Sequence, residues 1–214
     1  MTATGRPPSA AHHGAGPAAP GLRWVFNAGY WSRAPQPAHL SGQDQIDAPL
    51  DWPGARREHR AHHEAGHVVA ALAAGVPVAR IWLAPGDDQV AGLGGGTELH
   101  LPEAWELAGP ILAAGEVAAQ RWLLHTGRWS DAAAWAVEMS AADDRRRLAA
   151  AAERADLPYV EHHGGWDSAC ARARQLLAPQ WSAVEAIALQ LLQEPGGTLD
   201  KRAIEDLANV FVIP

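Results

Sequence analysis

Apolar residues recur along most of this chain at helical spacing, three or four residues apart. The first such segment, residues 56–74, is rich in Ala, Val and Leu in its second half. Gly75 and Pro77 follow it as helix-terminating residues. The same spacing predicts further helices over residues 103–125, 131–154, 166–193 and about 199–208. The pattern therefore predicts a mainly α-helical domain.

Two short segments after the first helix follow a strand pattern instead. PVARIWLAP, residues 77–85, is β-prone and ends at a Pro-Gly turn, and GTELHL, residues 96–101, places Thr97, Leu99 and Leu101 on one face. The loop GLGGG before the second strand lacks the Lys-Ser/Thr of a P-loop and is expected to be a flexible turn. The expected fold class is mainly α with a small β element.

The N-terminal quarter has a different composition. Residues 1–54 hold half of the sixteen prolines and show no helical periodicity. We expect the first twenty residues to be disordered, because they are rich in Ala, Pro and Gly. Residues 21–54 contain several aromatic side chains and are expected to dock in part on the domain, with no structure beyond short turns. The folded domain is expected over residues 55–214.

Charge and cysteine content narrow the class of protein. The net charge of −7 and the pI near 5.8 argue against a general nucleic-acid binder, which would carry a basic surface. Cys170 is the only cysteine, which excludes an internal disulfide and favours a reducing compartment. The longest apolar run, residues 68–79, is too short to span a bilayer, and no signal-peptide core precedes it. We expect a cytoplasmic protein without a membrane span.

The segment RAHHEAGHVVAALAAGVP, residues 60–77, places three histidines and a glutamate in an otherwise apolar helix. His63, Glu64 and His67 form the pattern H-E-x-x-H. Residues four apart share a helix face, so both imidazoles can reach one Zn²⁺ ion at about 2.0–2.1 Å. Glu64 lies beside that face, where it can act as the general base toward a water molecule. The motif therefore predicts a catalytic zinc site.

Such a site needs a third protein ligand, and spacing alone leaves several candidates open. They are the acidic residues and histidines downstream of the motif: Glu116, Asp131, Glu138, Asp143, Asp144, His162 and His163. His59 and His62 are expected to be surface groups or groups behind the ligands. The metzincin pattern is excluded, because Ala occupies positions 70 and 73.

The sequence HRAHHEAGHVVAALAAGVPVARIWLAPG resembles the start of the peptidase domain of the FtsH-type ATP-dependent zinc proteases, peptidase family M41. The resemblance continues in GLGGGTELHLPE, in MSAADDRRRLAAAAERA and in the closing segment up to residue 210. It implies a zincin-like helical peptidase domain in which His63, His67 and Asp144 bind Zn²⁺ and Glu64 is the base. Asp143 is the alternative third ligand. The stretch AGEVAAQ departs from the family, since Ala119 and Gln120 replace its acidic pair.

The resemblance also implies a substrate and partners. The strand over residues 96–101 would bind an extended peptide as an added strand, through Gly96, Thr97, Glu98 and Leu99. The loop over residues 158–166 would be a lid. The family's ATPase module is not found in this sequence, so we expect a stand-alone metalloendopeptidase. It would act on peptides or unfolded proteins, or on chains supplied by an ATPase unfoldase in trans. The alternative is a non-catalytic or autoinhibited zinc-binding regulatory module of the same fold.

Overall fold

Seven helices and five strands make up the part of the chain that the computed structural model describes: residues 49–84, 94–156 and 165–211, with the backbone of 25–27 and 30–32. The helices are α1 (Ala55–Ala73), α2 (Trp105–His125), α3 (Asp131–Ser140), α4 (Ala142–Arg154), α5 (Gly165–Leu177), α6 (Trp181–Gln193) and α7 (Lys201–Val210). The strands are β1 (Val25–Asn27), β2 (Tyr30–Ser32), β3 (Val78–Leu83), β4 (Gly95–Leu99) and β5 (Thr198–Asp200). The expectation of a mainly helical fold with a small β element is confirmed.

Two of the segments that were predicted as single helices each form two separate helices. Residues 131–154 break at Ala141, which ends α3 and begins α4 with φ −87° and ψ 11°. Alanine is the strongest helix former, so neither propensity nor periodicity reveals this break. Residues 166–193 break between α5 and α6, where Pro179 stands. Proline lacks the N–H that an interior helical hydrogen bond needs, and it clashes with the preceding turn.

The small sheet has three antiparallel strands in the order β4-β3-β5. The strand β5 overlaps the start of the segment predicted as the last helix, about residues 199–208, so α7 starts at Lys201, later than expected. Asp200 marks the boundary, since its side-chain oxygen accepts a hydrogen bond from the Ala203 N–H at 2.9 Å and caps α7. Within the described residues, β4 pairs only with β3 and leaves one edge without a neighbouring strand.

The core forms where α1 packs against α2, α6 and the sheet. Gly66, within the H-E-x-x-H motif, determines how closely α1 packs against α2. A Cβ at this position would lie 2.5 Å from the Ala114 carbonyl oxygen and 2.7 Å from the Ala118 Cβ. Only glycine allows the two backbones to approach this far. The approach brings the histidine face of α1 directly onto α2.

The N-terminal segment contains more structure than short turns. The strands β1 and β2 pair antiparallel, and β2 lies beside α3. Leu50 is buried, and the Trp52 ring lies 5.8 Å from the Trp122 ring of α2. Residues 49–52 therefore pack on the domain. The predicted disorder of the first twenty residues lies outside the described part.

Candidate metal centre

Two helices bring three ligand atoms together. His63 and His67 lie one turn apart on α1, and their Nε2 atoms are 3.1 Å from each other. Asp144, in the first turn of α4, places Oδ2 at 3.3 Å from His63 Nε2 and 3.5 Å from His67 Nε2. All three residues are buried. In a tetrahedral zinc site, with ligands at about 2.0–2.1 Å, neighbouring ligand atoms lie roughly 3.3–3.4 Å apart. The three atoms therefore suit a single metal ion.

A hydrogen bond on the side of the ring away from the other ligands fixes the orientation of His67. Its Nδ1 donates a hydrogen bond to the Ile111 carbonyl oxygen of α2 at 2.8 Å. In the neutral ring this leaves the Nε2 lone pair facing His63 and Asp144. Such a partner on the far nitrogen commonly accompanies metal-ligating histidine, where it fixes the tautomer and the ring direction.

Gly115 on α2 forms the wall facing the two imidazoles. A Cβ there would lie 2.6 Å from the Nε2 atoms of both His63 and His67. No side chain can occupy that position without moving both rings. The absence of a side chain therefore leaves room beside the ligand atoms.

Replacing Gly115 by Ala should lower zinc affinity more than about tenfold, because the new methyl group displaces the ligand nitrogens from tetrahedral positions. Gly109→Ala on the same helix is the matched control. Its Cβ would meet Leu148 and Ala169 at 3.5 Å or beyond, which is ordinary contact. Competition titration with a chromogenic chelator measures both. Unchanged zinc affinity in Gly115→Ala would show that the two imidazole rings do not lie against Gly115.

The metal-free cluster is an ion pair at neutral pH. Burial alone would lower the pKa of His67, but the Asp144 carboxylate overcomes this and raises it to about 9. Burial also opposes ionisation of Asp144, yet His67 and His63 hold the pKa of that carboxyl well below its usual value. A metal ion must therefore displace a proton from His67.

The metal-free protein should lose stability as the pH rises from 6.5 toward 9. His67 has a folded pKa above its unfolded value of 6.5, so its contribution is complete below pH 6.5 and disappears as the pH passes 9. Asp144 contributes above its unfolded pKa of 3.8, so it adds no loss in this range. We expect a decrease of about 1–3 kcal/mol in unfolding free energy.

Urea unfolding at several pH values with a chelator present measures this loss. The zinc-loaded protein and Asp144→Asn are the controls, and both should show a smaller slope, because neither contains the His67–Asp144 ion pair. A metal-free protein that gains stability between pH 6.5 and 9 would contradict the pairing.

Glu64 lies beside the cluster and contacts β4. Its Oε2 accepts a hydrogen bond from Thr97 Oγ1 at 2.8 Å. The four residues predicted to bind a peptide, Gly96, Thr97, Glu98 and Leu99, all lie in β4. Glu98 is exposed and pairs with Arg80 at 2.7 Å. Glu64, the residue after His63 on α1, is thus hydrogen-bonded to β4, the strand with one edge that no described strand occupies.

The other candidate ligands lie elsewhere. Asp143, one residue before Asp144, is exposed and pairs with Arg146 at 3.0 Å. Asp131 is exposed at the start of α3, and Glu138 is buried outside the cluster. His162 and His163 lie outside the described residues, as does most of the predicted lid. Among the residues that the structure describes, the group able to hold a metal is His63, His67 and Asp144.

Glu116 has a structural role that the sequence did not suggest. It is fully buried, and its Oε2 accepts hydrogen bonds from Arg145 at 3.1 Å and from the Trp166 indole at 2.9 Å. Gln120 donates to Oε1 at 3.0 Å. This carboxylate therefore links α2 to α4 and α5, and its partner Arg145 is the residue that follows Asp144 on α4.

His59 and His62 are not part of the ligand cluster, and neither is a surface group. His59 is only 1% exposed, and burial holds its pKa well below the usual value. His62 stacks on Trp122 with ring centroids 5.7 Å apart, and burial lowers its pKa as well. The burial depends on how α1 packs against α2, α3 and α6, so spacing along α1 could not predict it.

Fold and site together define a mainly helical protein with a buried His₂Asp group that could hold a metal ion. No protein-family model matches the chain, and no curated protein matches it. In the described part of the chain, no helix is both long and apolar enough to cross a membrane.

Proposed function

We propose that this protein is a zinc-dependent metalloendopeptidase with an M41-like, zincin-type peptidase domain. The observation that carries the proposal is the triangle of His63 Nε2, His67 Nε2 and Asp144 Oδ2, with edges of 3.1, 3.3 and 3.5 Å. Two of its members come from an H-E-x-x-H helix whose glutamate lies beside the triangle without joining it. This combination is typical of catalytic zinc sites with three protein ligands.

The donor set supports zinc. Two imidazoles and one carboxylate suit Zn²⁺, and three ligands leave a fourth position open. A bound zinc ion would lower the pKa of a water molecule from 15.7 to roughly 7 and polarise a carbonyl group. The same donors also serve non-haem Fe(II), so the element must be identified directly.

Glu64 would take the proton of the attacking water and pass it to the leaving amine. Its hydrogen bond from Thr97 at 2.8 Å holds one carboxylate oxygen, which leaves the other available for the proton. Thr97 belongs to β4, so the same strand that positions the base would also hold the substrate. A peptide added along the edge of β4 that no described strand occupies would be bound mainly through its backbone.

The substrate class follows from this mode of binding. A segment must be extended to pair with a strand edge, so peptides and unfolded proteins are the expected substrates. The resemblance of residues 56–210 to M41 peptidases supports the same class. An ATPase unfoldase in trans would extend the range to folded proteins.

The test combines metal analysis with proteolysis. Purified protein should contain about one zinc per chain by mass spectrometry and should cleave casein or an unstructured fluorogenic peptide. A chelator should abolish cleavage, because the site then loses its Lewis acid, and added Zn²⁺ should restore it. Chelator followed by Mg²⁺ is the control, since this donor set binds magnesium poorly. Stoichiometric zinc without cleavage of either substrate would reject the peptidase and favour the non-catalytic module.

A further inference from the structure

A directed series of hydrogen bonds reaches His59 from α3. The hydroxyl of Ser140 donates to the Val137 carbonyl oxygen at 2.7 Å. A hydroxyl has one proton, so Ser140 Oγ must accept from its other neighbour, the Nε2 of His59 at 3.3 Å. Neutral His59 therefore carries its proton on Nε2. Its Nδ1 is left as an acceptor.

That acceptor is buried and unsatisfied in the described part of the structure. His63, in contrast, has a buried donor without an acceptor. With Nε2 directed at the metal position, the proton of His63 must sit on Nδ1, and this nitrogen is also buried without a partner. The other histidine ligand, His67, has its partner in Ile111. One buried donor and one buried acceptor thus remain, and each costs free energy unless it is paired.

The two unsatisfied nitrogens belong to neighbouring rings. His59 and His63 lie one turn apart on α1, with ring centroids 6.2 Å apart and planes inclined by 62°. A single water with hydrogen bonds of about 2.8 Å spans roughly 5.5 Å between two polar atoms, a separation that nitrogens of two rings with centroids 6.2 Å apart can have. A bridge of one water would satisfy both nitrogens at once.

We propose that His59 is a positioning residue of the metal centre, which accepts the Nδ1–H of His63 through one buried water. The bridge would fix His63 in the tautomer that presents Nε2 to the metal. It would also tie α1 to the end of α3, directly before the turn that leads to Asp144. This inference rests on the proposed metal site and is independent of peptidase activity.

Zinc affinity of His59→Phe tests the proposal. Phenylalanine keeps an aromatic ring but removes the acceptor, so the affinity should fall by about 10- to 100-fold. His62→Phe is the matched control, because His62 is on the same helix but stacks on Trp122; its zinc affinity should equal that of the wild type. His59→Gln retains an oxygen acceptor and an N–H donor and should recover part of the loss. Circular dichroism confirms that each variant is folded.

Nitrogen NMR of the wild-type, zinc-loaded protein gives a readout that a purely structural role would not move. His63 should show a slowly exchanging Nδ1–H, and His59 should be protonated on Nε2. In Ser140→Ala, which leaves both rings intact, His59 should become a mixture of tautomers, and the His63 signal should exchange faster. This measurement decides the question even if His59→Phe fails to fold.

Two results would overturn the role of His59: equal zinc affinity of wild type and folded His59→Phe, or an Nδ1-protonated His59 in the wild type. Absence of any metal binding by the wild type would instead overturn the metal site, and the role of His59 with it. Metal binding without proteolysis would overturn the peptidase alone. The failures of the two proposals are therefore distinguishable.

Discussion

Replacing Glu64 by Gln should slow peptide hydrolysis by about 10²- to 10⁴-fold while the protein keeps its zinc. Glutamine has the same shape, and its side-chain oxygen can still accept the hydrogen bond that Thr97 donates at 2.8 Å. It cannot take a proton from water at neutral pH. Since Glu64 is outside the ligand triangle, its replacement removes the base and leaves the metal site intact. The measurements are kcat on a fluorogenic peptide and zinc content.

Glu58→Gln is the control for this loss. Glu58 lies in the first turn of the same helix, so its replacement changes the charge of α1 equally but away from the ligand atoms. It should retain wild-type kcat. Full activity in Glu64→Gln would assign the base to another residue. Loss of zinc in the same variant would show that Glu64 binds the metal.

Replacing Asp144 by Ala should raise the zinc Kd more than about 100-fold, whereas Asp143→Ala should leave it unchanged. Removing groups behind a metal ligand already costs 10- to 100-fold, so removing a ligand costs more. The two aspartates are adjacent on α4 but differ in environment: the side chain of Asp144 is 11% exposed and that of Asp143 is 70% exposed. Only Asp144 faces the histidines.

Asp143→Ala loses an exposed ion pair with Arg146, which contributes little to stability. It therefore controls for the charge change and for the position on the helix. Competition titration gives both Kd values, and circular dichroism checks the folding of each variant. A zinc loss confined to Asp143→Ala would reverse the assignment and would mean that α4 is rotated relative to α1.

The spacing of residues along the sequence was enough to predict the two histidines of the candidate metal site. His63 and His67 are four residues apart in a strongly helical segment, and any helix of that length places them on one face. Their distance of 3.1 Å between Nε2 atoms follows from the same geometry once both rings turn to one side. Family resemblance, and not spacing, singled out Asp144 among the acidic candidates. The predicted continuous helix over residues 131–154 was wrong at Ala141, the turn that sets the direction of α4.

The sequence by itself determined the helical character of the chain, the two-histidine face with its adjacent glutamate, and the strand that follows. These depend on residues within a few positions of one another, where backbone geometry dictates which side chains meet. Only the tertiary structure decided which aspartate faces the histidines, why Gly115 has no side chain, and that Thr97 contacts Glu64. It also buried His59 and gave Glu116 its partner Arg145. Those relations join segments far apart in the chain, and their geometry depends on how α1, α2 and α4 pack, which no local pattern encodes.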